Sequence, residues 1–536
     1  MIPVPDLLHP RPRLGLDGEA LAELLEAAFL GGGDGGPGLD RTLAASHPGG
    51  STWRAEFFRD ELFLDDLVED CCKVVVDGNE LPVNRVFLRH ALVQAPCDLE
   101  TVRFRQAIVR ELEDDLLRGK AHDLYGQLFS MLSLFKAPMR RAKLDVTLFR
   151  LEILEVACKT VDFMETEFAG CGSGLLRLHQ AAREIRASPE YGRLEALLDF
   201  DNHLARLRFR IRVGADGRVR DLVLEKLAEN VRNPFYRGPW TRLKDRLAFL
   251  RRGYEFSNRE LLNRTVHAVF GGIGDWLKPL LQLLGHLAFY LSAFSLRDRA
   301  RAMGLEVSLA EVGEDGPLEL AGLFNPLLFR QGTPVPCSVA TDEADAIVVI
   351  TGPNSGGKTR LLQAIGLAQL LGQSGLYTPA ARARLPLVDG LFASSTEGAS
   401  VDQLEGRLGT ELIRIRDLFG GIGDRSLVLM DELCSGTNPS EATRIVLMVL
   451  ELLREVRPVA FITTHVLDFG RELADEPPVA GLQFLQVAMR DDESSTYQFV
   501  PGVAATSLAS ATARRLGVDR EELRRLLHRR GGSSRG

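Results

Sequence analysis

The sequence predicts an α/β domain with a mostly parallel sheet, preceded by a mainly α-helical region. After about residue 320, short apolar segments such as 346–351 and 426–430 alternate with helical patterns. This alternation is typical of a parallel sheet that helices cover on both faces. Between residues 57 and 303, apolar side chains recur every three or four positions among charged ones, as in 99–112. That spacing predicts long amphipathic helices.

Length and composition are those of a globular chain with several domains. The 536 residues are 45% hydrophobic and 26% charged, which is enough to bury large cores without disulfides. The glycine-rich stretch 31–38 predicts a flexible spacer. We therefore divide the chain into four parts: a flexible arm at 1–50, a helical core and lever domain at 51–310, an α/β domain at 311–530 and a disordered tail at 531–536.

Composition and charge exclude several classes of protein. A net charge of −8 argues against a nonspecific DNA packager, although it permits a local basic surface. The seven cysteines show no CxxC pair and no zinc-type spacing, which indicates reduced thiols in a cytoplasmic protein. The N-terminus has no apolar run, so no signal peptide is expected. Polar residues interrupt the most apolar stretch, 276–296, which favours a buried helix over a membrane span.

One segment of the helical region, 204–225, has the alternation of a β-hairpin. Its first half places apolar side chains on one face and arginines on the other, and these arginines are Arg206, Arg208, Arg210 and Arg212. A turn at 214–217 and a return strand follow. The arginine face has two interpretations. It can contact DNA phosphates through the guanidinium fork, or it can be a solvated face with ion pairs to Asp201, Asp216, Asp221 and Glu225.

Residues 352–359 match the phosphate-binding P-loop pattern. The members of this loop are Gly352, Pro353, Asn354, Ser355, Gly356, Gly357, Lys358 and Thr359. Glycines let backbone N–H groups approach phosphate oxygens, and a helix N-terminus adds a favourable dipole. Lys358 supplies charge for the β- and γ-phosphates, and Thr359 supplies a hydroxyl for Mg²⁺. An apolar strand precedes the loop and a helix follows it, so the pattern predicts ATP binding with Arg360 beside the nucleotide.

Two further apolar strands end in residues suited to ATP hydrolysis. The strand at 426–430 leads to Asp431, which is expected beside Mg²⁺, and to Glu432, which can accept a proton from the attacking water. The strand at 459–463 leads to His465, which we interpret as a sensor of the γ-phosphate. A lone histidine is more often structural, and a carboxylate pair can simply end a strand in solvent. Both assignments therefore depend on the P-loop.

These motifs resemble the ATPase domain of the MutS family of DNA mismatch-repair and recombination proteins. The resemblance rests on T-G-P-N-S-G-G-K-T at 351–359, D-E-L-C-S-G-T at 431–437 and T-T-H at 463–465. It is strong after about residue 320 and weaker over 55–320. It implies a P-loop ATPase fold of the MutS and ABC type and a homodimer, formed through the ATPase domain, with composite nucleotide sites. It further implies lever helices that move around duplex or branched DNA.

The resemblance also assigns roles to individual positions. The segment 323–328 is similar to the family's segment beside the adenine, so Phe324 and Pro326 are expected to contact the base. The helix that approaches the partner's nucleotide corresponds to 408–411. There Gly409 stands in place of the family's serine, and Thr410 is the remaining hydroxyl. The family's mismatch-reading domain has no counterpart in the first 50 residues, so mismatch recognition is not expected.

Two other classes of ATP-binding protein could carry the same phosphate loop. The chain could be an ATP-gated scaffold whose helical arms bind a protein partner and never touch DNA, and the sequence leaves this alternative open. A transporter-type or chromosome-structural ATPase would share the fold. It would need an L-S-G-G-Q signature or a long heptad coiled coil, and the sequence has neither.

Overall fold

The structure is a computed structural model of the 536-residue chain. It describes residues 5–12, 51–136, 146–198, 206–213, 219–228, 258–353, 356–394, 407–433, 439–464, 473–474, 481–490, 494–504 and 524. The predictions for Asn354, Ser355 and His465, for most of the arm at 1–50 and for the tail at 531–536 fall outside these ranges.

Helices make up most of the described residues up to residue 300. In chain order the helices of the described residues are α1 (Leu64–Cys71), α2 (Arg85–Val93), α3 (Leu99–Glu111), α4 (Asp115–Lys136), α5 (Val146–Glu167), α6 (Leu176–Arg186), α7 (Pro189–Leu198), α8 (Asn258–Ala302), α9 (Lys358–Gln373), α10 (Arg407–Phe419) and α11 (Pro439–Val456). Side-chain caps fix some of their starts: the Asp98 carboxylate accepts a 2.7 Å hydrogen bond from the Thr101 amide at the start of α3.

Strands dominate after residue 305. In chain order the strands of the described residues are β1 (Val74–Val76), β2 (Asn79–Leu81), β3 (Arg206–Val213), β4 (Val219–Ala228), β5 (Ser308–Leu309), β6 (Glu311–Gly313), β7 (Glu319–Leu323), β8 (Cys337–Ala340), β9 (Ile347–Thr351), β10 (Tyr377–Thr378), β11 (Arg382–Pro386), β12 (Gly390–Ser394), β13 (Ser426–Met430), β14 (Val459–Thr464), β15 (Leu482–Met489) and β16 (Ser495–Pro501).

A six-stranded sheet with the order β12-β13-β14-β9-β15-β16 organises the α/β region. Its first five strands pair in parallel, and β16 pairs antiparallel with β15. Every residue of β9 and β13 is buried, as expected for strands covered on both faces. The prediction of a mostly parallel sheet is confirmed. Because β9, β13 and β14 run in the same direction, their carboxyl ends meet at one edge, where the sequence places its candidate site residues.

The chain divides into two compact units. The first contains Met1–Leu7, Leu14–Ser46 and Glu113–Leu287, and the second contains Leu8–Arg13, His47–Leu112 and Ala288–Gly536. The second unit holds the six-stranded sheet and also the helices α1, α2 and α3. The division into a core and lever domain at 51–310 and an α/β domain at 311–530 stays a prediction.

Residues 5–9 of the N-terminal arm are buried, although the sequence predicts a loosely attached arm. Leu7 and Leu8 are 0% and 1% exposed. The carbonyl oxygen of Leu8 accepts a 2.9 Å hydrogen bond from Nε of Arg105, a side chain that is itself 1% exposed. A buried guanidinium requires such an acceptor. Two leucines and one carbonyl group therefore contribute to a packed position of residues 5–9, which a count of prolines and glycines does not reveal.

The apolar stretch at 276–296 lies in α8, a helix of 45 residues. From Leu280 to Phe294 its residues are all buried, which confirms the prediction of a buried helix. No helix within the described ranges is long and apolar enough to cross a membrane. The described cysteines carry free thiols.

The hairpin predicted at 204–225 is present as β3 and β4, which pair antiparallel. Its register places Arg212 opposite Asp221 and Arg208 opposite Lys226. Two register shifts interrupt the pairing, as at β-bulges. The arginines keep their alternate positions along β3. This placement agrees with either interpretation of the arginine face.

Candidate functional site

The predicted phosphate-binding loop connects β9 to α9. Gly352 follows the strand with a φ of +143°, and Gly357 caps the helix with a φ of +87°. These are conformations that residues with a Cβ rarely adopt. The loop therefore has the strand-loop-helix context that distinguishes a phosphate cradle from an isolated glycine turn.

A neighbouring strand explains why the loop needs its glycines. A Cβ atom added to Gly352 would lie 2.7 Å from Cγ2 of Val487, and one added to Gly356 would lie 2.8 Å from the same atom. Val487 belongs to β15, which pairs with β9. The loop thus packs directly on β15, and a side chain at either position would force the two apart.

Lys358 is buried within the loop, with 2% of its surface exposed. Its Nζ atom donates hydrogen bonds of 2.9 Å and 3.1 Å to the carbonyl oxygens of Gly352 and Pro353. Burial lowers the pKa of Lys358, and the nearby carboxylates of Glu432 and Asp431 partly oppose this effect. The ammonium group is therefore held in a desolvated position where an anionic ligand would stabilise it.

Asp431 joins the loop to the neighbouring strands. Its Oδ2 atom accepts a 2.6 Å hydrogen bond from the Thr359 hydroxyl, and its Oδ1 atom accepts one of 2.6 Å from the Thr463 hydroxyl. The register of the sheet brings these two residues together, because Met430 pairs with Ile462, Asp431 directly follows Met430 at the end of β13, and Thr463 follows Ile462 in β14. The sequence alone gives no role to the Thr463 hydroxyl, because only the register of the sheet places it beside Asp431.

Glu432 adopts a left-handed backbone conformation with a φ of +51°. Its amide donates a 2.9 Å hydrogen bond to the Thr463 hydroxyl. The left-handed region is unfavourable for a residue with a Cβ, and residues held there often belong to functional sites. The prediction of Glu432 as a catalytic base therefore coincides with an unusual backbone conformation at this position.

A cavity of about 220 Å³ adjoins the phosphate loop. Its walls include Phe324, Gly357 and Arg360. Phe324 and Arg360 thus lie where the sequence analysis expects a nucleotide. Pro326 is buried in the 3-10 helix Pro326–Arg330 and is not among the described residues that line the cavity.

Two aromatic residues of β16, Tyr497 and Phe499, also line this cavity. Sequence analysis missed them. A Cβ atom added to Gly357 would lie 3.2 Å from Cδ1 of Tyr497, so the tyrosine ring lies against the phosphate loop. The alternating pattern Tyr-x-Phe was a signal for one face of a strand. Its relation to the loop becomes visible only once β15 and β16 are placed in the sheet.

A hydrogen-bond network supports the cavity wall. The Asn325 amide group donates a 3.1 Å hydrogen bond to the carbonyl oxygen of Arg360. The Arg360 guanidinium in turn donates a 2.8 Å hydrogen bond to the Gln363 side chain. This arrangement fixes one side of the guanidinium group and orients it at the start of α9.

The donor atoms at Thr359 and Asp431 suit Mg²⁺ in a nucleotide complex. One hydroxyl and one carboxylate lie within hydrogen-bonding distance of each other, and Mg²⁺ typically takes one or two such protein ligands together with phosphate oxygens and water. Among the described residues there is no group of three or more His, Cys, Asp or Glu side chains that could hold a metal by themselves. The residues present therefore fit a metal that arrives with a nucleotide.

For the remaining predicted site residues, the structure describes no side-chain position. Asn354, Ser355 and His465 lie outside the described residues, and the side chain of Thr410 is not described. Gly409 lies in α10. Their proposed contacts with nucleotide stay predictions.

The loop, its helix and the neighbouring carboxylate-ended strand define a P-loop domain of the α/β class. A family model described as MutS domain V matches residues 348–525. Proteins named Endonuclease MutS2 are similar over a longer range: the one from Thermus thermophilus is 32% identical over 370 residues. Residues 348–525 thus match a domain of the MutS family, and these relatives support a MutS-family protein.

The matches to these relatives are partial. The match to the Thermus protein covers 65% of this chain and 47% of that protein. Endonuclease MutS2 of Streptococcus uberis is 32% identical over 240 residues, which are 44% of this chain and 29% of that protein. The chain thus spans about half the length, or less, of these curated relatives.

Proposed function

We propose that the protein binds ATP with Mg²⁺ at the P-loop and hydrolyses it to ADP and phosphate. The observation that carries this proposal is the convergence of Thr359 and Asp431, which come from separate parts of the chain, within 2.6 Å beside the buried Lys358. P-loop ATPases require a lysine, a hydroxyl and a carboxylate in this combination.

Each residue of the site has a specific role in this proposal. Lys358 exchanges its two carbonyl partners for phosphate oxygens and offsets their negative charge. Thr359 and Asp431 hold Mg²⁺, which when bound neutralises charge on the β- and γ-phosphates. Glu432 accepts a proton from the attacking water, and His465 contacts the γ-phosphate. The cavity lined by Phe324 and Tyr497 receives the base and ribose, with Arg360 beside them.

Substitution of the proposed base and the proposed phosphate ligand tests this assignment. Glu432→Ala should keep ATP binding and stop turnover, because the site remains but no group accepts the proton. Lys358→Ala should abolish binding. Both are measured by equilibrium nucleotide binding and by phosphate release. Normal hydrolysis by Glu432→Ala would show that another group acts as the base.

We propose further that ATP drives movement of the helical levers on DNA, in mismatch repair or recombination control. The supporting observations are the match to a domain of the MutS family and the four arginines at alternate positions of β3. Arginine contacts to phosphate position a protein on DNA without reading its sequence. The levers can respond to ATP only if ATP binds one of their arrangements more tightly than another.

A salt series separates DNA binding from its alternative. Filter binding to duplex, branched and mismatched DNA should show affinity that falls steeply with salt, because phosphate contacts release counterions. Replacement of Arg206, Arg208, Arg210 and Arg212 together should weaken this binding and leave basal hydrolysis unchanged. Absence of DNA binding at low salt would favour the ATP-gated scaffold, with the helical arms as its protein-binding surface.

A homodimer through the ATPase domain completes the proposal. Helix α10 carries Gly409 and Thr410, the predicted contacts to the partner's nucleotide. The same helix exposes Leu412 and Ile413 to 40% each, and neighbouring exposed apolar side chains favour a protein interface. Light scattering with and without ATP tests this assembly in Glu432→Ala, where ATP persists. Leu412→Glu should prevent a dimer that forms in this way, and an unchanged dimer would place the interface elsewhere.

A further inference from the structure

The Thr463 hydroxyl lies between two consecutive residues of the proposed active site. Thr463 is 0% exposed at the end of β14. Its hydroxyl donates a 2.6 Å hydrogen bond to Oδ1 of Asp431 and accepts one of 2.9 Å from the amide of Glu432. A hydroxyl has one proton and two lone pairs, so these two bonds use its donor and one acceptor position. A single buried group thus contacts both the proposed metal ligand and the proposed base.

The first of these bonds determines how the Asp431 carboxylate is turned. Two threonine hydroxyls hold its two oxygens from different elements: Thr463 holds Oδ1, and Thr359 of the P-loop helix holds Oδ2. A hydrogen bond to an ionised carboxylate is stronger than one between neutral groups. With Oδ1 occupied from β14, Oδ2 is the oxygen that faces Thr359 and the proposed metal position.

The second bond holds the backbone of Glu432. The residue has a φ of +51°, and a strained backbone persists only where its surroundings enforce it. Its amide is bonded to the Thr463 hydroxyl, and the preceding amide, that of Asp431, donates a 2.8 Å hydrogen bond to the carbonyl oxygen of Ser394 on β12. Neighbouring strands on both sides therefore hold this turn. Loss of the Thr463 bond would free the peptide unit that directs the Glu432 side chain.

We infer that Thr463 is a positioning residue that orients the Asp431 carboxylate toward the metal and holds Glu432 in its catalytic conformation. The inference rests on the proposed roles of Asp431 and Glu432. It differs from a purely structural role, in which a buried hydroxyl only satisfies the end of a strand. A structural role would affect stability alone, whereas a positioning role links Thr463 to the effect of Mg²⁺ on nucleotide binding and to kcat.

Thr463→Val tests the inference because valine keeps the shape and removes the hydroxyl. Thr463→Ser restores the hydroxyl, and Thr341→Val is a matched control. The Thr341 hydroxyl is also buried and accepts a 2.9 Å hydrogen bond from the Leu318 amide, but it contacts neither Asp431 nor Glu432. The probe is mant-ADP, titrated in Mg²⁺ and in EDTA, and ATP turnover is measured at saturating Mg²⁺.

Thr463→Val should lose most of the tightening of mant-ADP binding that Mg²⁺ produces, with its affinity in EDTA unchanged. Its kcat should fall about tenfold or more, as expected when a charge-assisted hydrogen bond is lost, with little change in KM. Thr463→Ser and Thr341→Val should behave as the wild type. Thr463→Ala replaces the valine variant if that variant does not fold.

Two outcomes overturn the inference while leaving the proposed function intact. In the first, the wild type shows Mg²⁺-dependent mant-ADP binding and ATP turnover, and Thr463→Val is folded. Thr463→Val then matches Thr341→Val both in the effect of Mg²⁺ on binding and in kcat. The other is failure of both Thr463→Val and Thr463→Ala to fold while Thr341→Val folds, which would assign Thr463 to the stability of the sheet. Failure of the proposed function is recognised separately, by a wild type that neither binds mant-ADP nor hydrolyses ATP.

Discussion

The hydroxyl of Thr359 donates a 2.6 Å hydrogen bond to Oδ2 of Asp431, 72 positions further along the chain. The Nζ atom of Lys358 likewise donates hydrogen bonds to two carbonyl oxygens of its own loop. The polar groups of the site thus satisfy one another. A buried polar group without a partner is costly, so this arrangement stabilises the loop. Binding of a nucleotide must exchange these bonds for bonds to phosphate and metal.

Asp431→Asn should separate binding of the nucleotide from binding of the metal. Asparagine keeps the shape of the side chain but removes the charge that attracts Mg²⁺. We expect nucleotide affinity in EDTA to stay near that of the wild type, and the tightening caused by Mg²⁺ to disappear. Turnover should fall about a hundredfold or more, the loss typical of a missing electrostatic contact to the transition state. The measurement is nucleotide binding over a Mg²⁺ titration.

Glu432→Gln is the matched control for this prediction, because it neutralises the neighbouring carboxylate. It should retain the effect of Mg²⁺ on binding and lose turnover. Equal loss of the Mg²⁺ effect in both variants would mean that the metal does not distinguish Asp431 from Glu432.

A side chain at Gly356 should block the phosphate loop in a way that a second substitution relieves. In Gly356→Ala the new Cβ would lie 2.8 Å from Cγ2 of Val487, so nucleotide affinity should fall. Val487→Ala removes the clashing methyl groups, and the double variant should regain most of the affinity. Affinity is measured by equilibrium titration, and a double variant as weak as Gly356→Ala would show that the glycine is needed for another reason.

Gly352→Ala provides the contrasting case. A Cβ atom at this position would also lie 2.7 Å from Cγ2 of Val487. Gly352 has in addition a φ of +143°, a backbone conformation that alanine rarely adopts however much space surrounds it. Val487→Ala should therefore fail to rescue it. If Val487→Ala restores nucleotide affinity to both glycine variants, the space beside Val487 matters more than the backbone conformation of Gly352.

The pH dependence of stability should report the buried lysine. Burial lowers the pKa of Lys358 below its usual 10.5. Between the lowered value and 10.5 the unfolded chain binds more protons than the folded one, so the contribution of Lys358 to stability rises with pH. The cost of the buried charge is fully present below the folded pKa. In urea unfolding the free energy of the wild type, relative to Lys358→Met, should be flat below the folded pKa of Lys358 and should rise with pH between that pKa and 10.5.

Bound nucleotide should reduce this slope. Phosphate oxygens beside the ammonium group favour its charged form and oppose the effect of burial. The same unfolding series with saturating ADP supplies the comparison. If the free energy of unfolding, relative to Lys358→Met, does not rise with pH in the absence of nucleotide, Lys358 is better solvated than its burial implies.

The parts of the site that the sequence predicts are those carried by local patterns. Lys358, Thr359, Asp431 and Glu432 follow buried strands, and a parallel sheet brings the ends of its strands together. The strand order itself could not be predicted. Val487 acquires its role because β15 pairs with β9, and Thr463 acquires its role because β14 pairs with β13 in a fixed register.

The buried position of residues 5–9 could not be predicted for a similar reason. The acceptor for Arg105 is a backbone carbonyl group, that of Leu8. Every residue carries such a group, whatever its side chain. Composition therefore carries no signal for such a contact. The glycine-rich spacer at 31–38 predicts a flexible connection, but it does not determine whether the residues before it pack.

Tyr497→Ala should weaken ATP binding through the base and leave the phosphate site intact. The ring lines the cavity together with Phe324 and lies against Gly357. An aromatic ring stacked on a base contributes about 1–3 kcal/mol, so the affinity for ATP should fall by a factor of about 5 to 150. Tyr497→Phe should stay near the wild type, because the face of the ring, and not the hydroxyl, makes this contact.

The control ligand for this prediction is inorganic tripolyphosphate, which has no base and should bind Tyr497→Ala and the wild type equally. Val500→Ala is the control variant, since Val500 lies on the same strand, is 39% exposed and does not line the cavity. Equal weakening of ATP and tripolyphosphate would mean that Tyr497 supports the phosphate loop through Gly357. Weakening of ATP alone would place the base in the cavity and make β16, together with β9, part of the nucleotide site.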